Sequence, residues 1–173
     1  MGQPEFIINT TMTKEDYRRF LYIATFRRNK LMLPLLALMT LVASIIINLE
    51  SEGINPVKFI ISWILLFALA IIVLLIKIER KNAQRIKTDK TGAFNSINTL
   101  KFFDDKLVME NDALRSTGEL KYDQFYALRE SRDYFIFYWT ANQASLIRKK
   151  DVDNLNSFRD YIIEKFKGRY KRI

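Results

Sequence analysis

The sequence predicts an α+β membrane protein, in which a two-helix transmembrane hairpin accompanies a small antiparallel-sheet domain closed by a C-terminal amphipathic helix. Three observations predict this fold class: two long uncharged apolar blocks, a later region in which apolar residues alternate with a period of two, and a last segment with apolar residues at helical spacing. The mean hydropathy of -0.06 conceals this division, because the apolar residues are concentrated in the two blocks.

The two apolar blocks, residues 31–49 and 59–76, contain no Asp, Glu, Lys or Arg. Each approaches the ~20 residues that a helix needs to cross the hydrocarbon layer. A chain of 173 residues has too little other structure to bury two such helices in a soluble core, so both are predicted to be transmembrane. Residues 50–58 join them as an extracytoplasmic loop. Small residues on one face of the first block indicate a close helix contact: Ala37, Thr40 and Ser44.

Basic residues flank the two predicted spans on one side only. Segments 1–30 and 77–91 are rich in Lys and Arg, whereas Lys58 is the one basic residue of the loop. The positive-inside rule therefore places both termini in the cytoplasm. Together with the net charge of +9, this pattern indicates contact with anionic lipid headgroups. The candidate membrane-surface contacts are Arg27, Arg28, Lys30, Lys77, Arg80, Lys81, Lys165, Lys167, Arg169, Lys171 and Arg172.

The segment 1–30 predicts a strand and a juxtamembrane helix. The strand is expected at residues 5–10, and Thr13 with Asp16 forms a capping-box pattern that begins the helix. This helix is expected to run into the first span with a kink at Pro34, unless a new helix begins there. After the second span, residues 77–91 predict a basic juxtamembrane helix that ends at Gly92.

Residues 92–173 are predicted to form one domain built on a small curved sheet. The strongest strand is 134–139, YFIFYW, in which alternate side chains are expected to enter the core. The final helix is predicted to begin at Asp151 or Asp153. Its expected apolar stripe is Leu155, Phe158, Ile162 and Phe166. The other strands are predicted at 99–103, 106–110, 114–121 with an interruption near Gly118, 125–130 and 145–148.

The amino-acid composition excludes several kinds of chemistry. The chain has no Cys and no His, so it has no Cys nucleophile, no Cys/His zinc site and no Ser-His-Asp triad. An enzyme built on this chain would depend on Asp, Glu, Lys, Tyr or Ser. The acidic residues Asp104, Asp105, Asp112 and Asp123 match no calcium-loop spacing. We therefore expect no catalytic residues, no cofactor and no metal. Nucleic acid is not an expected partner, because much of the basic excess adjoins the spans.

Several segments carry a family resemblance. Residues 13–20 read TKEDYRRF, which resembles a T-x-E-D-Y-x-x-F motif. Residues 103–107 (FDDKL), 120–125 (LKYDQF) and 133–138 (DYFIFY) extend the similarity. The chain resembles the YcxB-like family of bacterial membrane proteins in these segments. It departs from the family at 146–149, LIRK, where the family tends to have an isoleucine-proline-lysine-like element.

The resemblance implies a pleckstrin-homology-like fold for residues 92–173 and a location in the bacterial cell membrane, and it supplies no catalytic residues. We expect a noncatalytic membrane-anchored interaction or regulatory module, which presents this domain to a protein partner or to the inner-leaflet surface. One alternative is a bacteriocin-type immunity or envelope self-protection protein acting through its spans and outer loop. Another is a membrane enzyme that uses carboxylates or lysine. A second copy of the chain is a further candidate partner, through the spans.

Overall fold

The chain forms two compact units. A computed structural model describes residues 2–49, 53–90, 92, 94–111 and 114–173. The first unit, here called the sheet unit, contains Met1–Asp16 and Asp89–Ile173, and the second, the helical unit, is Tyr17–Thr88. The helical unit is therefore an insertion within the sheet unit. Residues 50–52 of the predicted outer loop, and Asp112, lie outside the described residues.

The first sheet of the sheet unit contains strands from both sides of this insertion. Its order is β1-β2-β3-β4 and every pair is antiparallel. The predicted strand at 5–10 pairs with β2, with Ile8 opposite Leu100. The predicted interruption at Gly118 is wrong, because Gly118 lies opposite Met109 in a continuous ladder. The strands are β1 Phe6–Thr11, β2 Ile97–Phe102, β3 Lys106–Asn111 and β4 Ser116–Lys121.

A second sheet replaces the single curved sheet that the sequence predicts. Its order is β7-β6-β5-β8, and β8 is parallel to β5. The two sheets separate at the turn Tyr122–Gln124, where the Gln124 side chain accepts a hydrogen bond from the backbone N–H of Lys121 at 2.8 Å and ends β4. The strands are β5 Ala127–Glu130, β6 Tyr134–Tyr138, β7 Ala144–Arg148 and β8 Tyr170–Arg172.

The helical unit follows the predicted alternative, a new helix that begins near Pro34, and not one continuous N-terminal helix. Helix α1, Lys14–Tyr22, continues as a π-helical turn, and α2, Met32–Ile47, then begins at a 63° bend. Pro34 lies in the first turn of α2, where a missing N–H breaks no helical hydrogen bond. Helix α3, Pro56–Thr88, unites the predicted second span with the basic helix after it and ends before Gly92.

Helices α2 and α3 pack against each other as an antiparallel pair. Trp63 Nε1 donates to the carbonyl of Ala37 at 3.2 Å, and the hydroxyls of Ser44 and Ser62 lie 2.7 Å apart. The small-residue face predicted on α2 therefore contacts α3. By length and composition, α3 is long and apolar enough to span a membrane, and a second span is obtained if α1 and α2 are counted together across their bend.

Helix α4, Leu155–Phe166, covers the core of the sheet unit. The predicted stripe is confirmed, since Phe158, Ile162 and Phe166 are buried and Leu155 packs at the edge of the core. The helix begins at Asn154, whose side chain accepts a hydrogen bond from the N–H of Ser157, and not at either predicted Asp.

Alternate side chains of strand β6 enter the main core, as predicted, and these are Phe135 and Phe137. The other face of the strand is buried as well, since Tyr134, Ile136 and Tyr138 are at most 3% exposed. The strand is central in its sheet, between β5 and β7. A strand that is buried on both faces shows no alternation of exposure.

Candidate functional site

The predicted surface contacts of the helical unit lie on exposed turns. Arg27 ends the π-helical turn and Lys30 lies in the bend before α2, and both are exposed, while Arg28 is half-buried. The contacts on α3 are also exposed and follow one another at helical spacing, so they share a face: Lys77, Arg80 and Lys81.

An acidic residue on α3 has its partners on α1. Glu79 accepts a hydrogen bond from Arg18 Nε at 2.9 Å and another from the Tyr22 hydroxyl at 2.7 Å. This contact ties α1 to the basic half of α3 within the helical unit.

The predicted contacts of the sheet unit divide into two kinds. Lys165 forms an ion pair with Asp104, and Arg169 Nη1 donates to the carbonyls of Asp123 at 2.9 Å and Phe125 at 2.7 Å. These two side chains are therefore engaged within the sheet unit. The remaining three are exposed and available to an anionic surface: Lys167, Lys171 and Arg172.

A polar cluster around Asp16 joins the start of α1 to the second sheet. The predicted capping box is confirmed: the N–H of Thr13 donates to the Asp16 carboxylate at 2.9 Å, and the N–H of Asp16 donates to the Thr13 hydroxyl at 3.1 Å. The Tyr134 hydroxyl also donates to Asp16, at 2.7 Å, and Arg148 Nη1 lies 3.8 Å from it. The sequence motif therefore caps a helix and also contacts β6 and β7.

The same cluster reaches β1 through a second carboxylate. Asp151 accepts hydrogen bonds from the Thr10 hydroxyl at 2.6 Å and from Arg148 Nε at 2.6 Å. Burial by itself would raise the pKa of Asp16, but hydrogen bonds from Thr13 and Tyr134 and the charge of Arg148 outweigh it and lower the pKa. Asp16 is therefore ionised near neutral pH and acts as a structural tie.

A second carboxylate, that of Glu130, lies in the interior of the sheet unit. Glu130 is 0% exposed and ends β5. Lys149 Nζ donates to it at 2.5 Å and Arg159 Nε at 3.0 Å, and the Tyr170 hydroxyl donates to its other oxygen. The Glu130 cluster, as we call these four residues, therefore brings together β5, β8, α4 and the turn after β7.

In the Glu130 cluster, both oxygens of the buried carboxylate have hydrogen-bond donors. Burial by itself would raise the pKa of Glu130, but the hydrogen bonds from Lys149, Tyr170 and Arg159 outweigh it, and the pKa is lowered. Burial, together with the hydrogen bond to Glu130, raises the pKa of the Tyr170 hydroxyl to about 12. A carboxylate that is held ionised with both oxygens occupied is poorly suited to general-base catalysis near neutral pH.

Sequence reasoning missed Glu130 as a site residue. The basic run Arg148, Lys149 and Lys150 has the composition of a solvated loop, but two of its members form ion pairs. Arg148 pairs with Asp151, and Lys149 pairs with Glu130. The available signal was an acidic residue at the end of the short strand ALRE, where it marks either a strand end or a paired buried charge.

The outer face of the first sheet carries an open groove of about 800 Å³. Its basic side chains are neutralised within the sheet, since Lys101 pairs with Glu110 at 2.7 Å and Lys106 with Glu119 at 2.9 Å. Among the described residues, no group of three acidic side chains is arranged to hold a metal ion. The polar clusters of the sheet unit thus consist of residues that satisfy one another.

Comparison with known proteins identifies the strand-rich part of the chain. The family model described as YcxB-like protein matches residues 102–162, from the end of β2 into α4. No curated protein and no solved structure matches the chain. The matched segment contains the core strands β5 and β6. It also contains residues 103–107, 120–125 and 133–138, whose pattern suggested the resemblance. The resemblance to the YcxB-like family is therefore confirmed over residues 102–162.

Proposed function

We propose that this chain is a two-span protein of the bacterial cell membrane that holds its sheet unit, a pleckstrin-homology-like domain, at the cytoplasmic surface as a noncatalytic interaction or regulatory module. The observation that carries the proposal is the ladder between β1 and β2. It pairs Thr11 with Ile97 across the insertion of the helical unit. Similarity to the family by itself assigns no activity.

This ladder constrains how the chain crosses a membrane. Because β1 and β2 are neighbours in one sheet, residues 11 and 97 must lie on the same side of the bilayer. The intervening chain therefore crosses an even number of times, and a single crossing by α3 is inconsistent with the sheet. Two crossings, by α2 and by α3, satisfy both the ladder and the apolar composition of the helices.

The length and charge of α3 support the orientation. A helix from Pro56 to Thr88 is about 50 Å long, whereas the hydrocarbon layer is about 30 Å thick. Its last turns must therefore extend beyond the apolar layer, and these are the turns that carry Lys77, Arg80 and Lys81. Basic flanks favour the cytoplasmic side.

The order of elements in the sheet unit supports the domain assignment. Strands β1 to β4 form one antiparallel sheet, β5 to β7 belong to a second, and α4 closes the core between them. A pleckstrin-homology-like fold has this succession of strands followed by one helix. The exposed cations of the sheet unit support the interaction role. The carboxylates of its polar clusters are already paired within the unit, which supports a noncatalytic role.

Cysteine labelling tests the topology, and the absence of native Cys makes single-cysteine variants clean reporters. We expect Ile54→Cys, between the two helices, to react with a membrane-impermeant maleimide in intact cells. Gln3→Cys and Asp153→Cys, which are exposed on the sheet unit, should react only after permeabilisation. The two sheet-unit variants are matched controls for each other, because the β1–β2 ladder requires them to behave alike.

Two results would contradict the topology. One is equal labelling of the Ile54 and Asp153 variants in intact cells. The other is release of the chain from membranes by alkaline carbonate, which removes peripheral proteins and leaves spanning ones.

Vesicle binding tests whether the sheet unit contacts the inner leaflet. A soluble fragment must include β1, because residues 92–173 alone would lose Ile8 from the core and leave one edge of β2 unpaired. Met1–Asp16 is therefore joined to Asp89–Ile173 by a flexible Gly/Ser linker. We expect this fragment to bind vesicles that contain anionic lipid, with salt-sensitive affinity, at roughly 1 kcal/mol for each basic residue near the surface.

Charge-neutralised variants locate the contact. Changing Lys167, Lys171 and Arg172 together to Gln should abolish binding to the anionic vesicles. The matched control changes three exposed basic residues elsewhere on the sheet unit, Lys121, Arg132 and Lys150, to Gln. Equal loss in the two variants would show a nonspecific charge effect, and no binding by the folded fragment would favour a protein partner.

A further inference from the structure

The segment that follows α4 fills a slot along β5. Strand β8 pairs in parallel with β5, with Leu128 opposite Tyr170 and Glu130 opposite Arg172. The N–H of Ile173 extends this ladder by donating to the carbonyl of Glu130 at 2.8 Å. All other ladders among the described strands are antiparallel. Among these strands, β8 is therefore the one that joins its neighbour in parallel.

Side-chain hydrogen bonds also hold the segment 169–173 in place. Arg169 donates to the carbonyls of Asp123 and Phe125, and Arg129 Nη1 donates to the carbonyl of Arg169 at 2.8 Å. The Tyr170 hydroxyl donates to the Glu130 carboxylate. Nearly all of these partners belong to β5 or to the turn before it, so the slot is defined without the connection to α4.

That connection is short and strained. Lys167, directly after α4, has φ 40° and ψ −126°. A residue with a Cβ atom rarely adopts a positive φ with such a ψ, and glycine adopts it readily. The positive φ occurs at Lys167 and not at the following glycine, Gly168. The strained residue therefore lies in the hinge between α4 and the anchored segment.

We propose that segment 169–173 exchanges between two copies of this chain, so that β8 of each copy fills the β5 slot of the other. The anchoring contacts are the same whether the segment comes from its own chain or from a second one. Only the hinge differs, and opening it allows Lys167 to leave its strained conformation. Identical contacts joined by a short strained hinge are the conditions that favour exchange of an element between copies.

The exchange gives a symmetric homodimer held by two β5–β8 ladders and two Glu130 clusters, each of which contains Tyr170 of the other copy. It is distinct from association through the membrane helices. Confinement of both copies to one membrane raises their effective concentration and favours exchange, and this effect alone rests on the proposed function.

Cysteine pairs across the ladder test the exchange in the full chain. Arg129 and Lys171 are direct partners in the β5–β8 register. Neighbouring strands lie about 4.8 Å apart, which is within the Cα range of a disulfide. Arg129→Cys and Lys171→Cys are placed in separate copies that carry different epitope tags, co-expressed, and oxidised in intact cells. A disulfide between the two tagged copies then forms only if β8 of one lies on β5 of the other.

The expected result is an interchain disulfide several-fold more abundant than in a control pair. The control combines Lys171→Cys with Thr117→Cys, an exposed residue on β4 that β8 does not approach. A chain that carries both Arg129→Cys and Lys171→Cys should form the disulfide within and between copies, which shows that the ladder survives the substitutions. Because the readout is a crosslink in cells, it does not depend on the membrane topology.

The hinge is tested by Lys167→Gly, which removes the strain without altering the anchors. It should lower the interchain disulfide several-fold and raise the intrachain one in the double-cysteine chain. An interchain yield no greater than the control, with the intrachain disulfide formed, would overturn the exchange. A double-cysteine chain that forms neither disulfide would overturn the β5–β8 pairing and the proposal with it.

Discussion

Replacing Glu130 with Gln is expected to lower the free energy of unfolding of the sheet unit by about 3–5 kcal/mol. The substitution keeps the shape of the side chain but removes the negative charge that Lys149 and Arg159 share. Removing one partner of a buried ion pair leaves the other charge uncompensated in a poorly hydrated site, and the cost is of this size. Tyr170 also loses its charged acceptor, which weakens the attachment of β8.

The same carboxylate predicts an acid dependence of stability. The pKa of Glu130 is lower in the folded chain than the usual value of 4.5, so the unfolded chain binds its proton at higher pH. The stabilisation is therefore fully present above about pH 4.5 and is lost as the pH falls through the folded-state pKa. Asp16 acts in the same direction, because its pKa is lowered from 3.8. Glu130→Gln should flatten this acid-side loss.

Denaturant unfolding of the full chain in detergent measures both effects. Of the two Trp residues, Trp139 follows β6 and Trp63 lies in α3, so Trp63→Phe provides a background in which fluorescence reports on the sheet unit alone. The control is Glu164→Gln, the same change at an exposed position of α4, which should stay within about 0.5 kcal/mol of the parent. Equal losses for the Glu130 and Glu164 variants would contradict the buried-pair account.

Phe158→Ala is expected to cost about 3–5 kcal/mol, the range for deleting a fully buried aromatic ring. The ring is 0% exposed and meets three others edge-on: those of Phe102 at 4.9 Å, Phe6 at 5.4 Å and Phe135 at 5.4 Å between centroids. These neighbours lie on β2, β1 and β6, so the cavity would open where both sheets meet α4.

The same fluorescence measurement, in the same background, checks this prediction. Tyr126→Ala is the matched control, because it also removes an aromatic ring but one that is 56% exposed. The control should lose less than about 1 kcal/mol. A Phe158→Ala loss as small as that of the control would mean that the ring is not part of a close-packed core.

Local patterns in the sequence predicted the elements that depend on local interactions. The uncharged blocks correspond to α2 and to the first two-thirds of α3, and the capping box at Thr13 and the stripe through Phe158 are both present. Each of these signals has a period or a spacing within a few residues. A helix expresses such a pattern directly, because its hydrogen bonds join residues four apart.

Contacts between distant residues were not predictable in the same way. Strand β8 consists of Tyr170, Lys171 and Arg172, which carry no local strand pattern, and it forms only because β5 offers an edge about forty residues away. The four members of the Glu130 cluster come from separate elements. A lone acidic residue in a strand does not reveal which cations will approach it.

The sequence by itself determined that this chain has two apolar helices with basic flanks and a strand-rich segment after them, since composition and short-range periodicity encode both. The strand-rich segment is the part that is similar to the YcxB-like family model. Only the tertiary structure decided that β1 joins the sheet beyond the helical insertion, that β8 fills the slot along β5, and that Glu130 is a buried charge. The reason is physical: strand pairing and charge pairing are energies of spatial neighbours, and sequence separation leaves those neighbours unspecified.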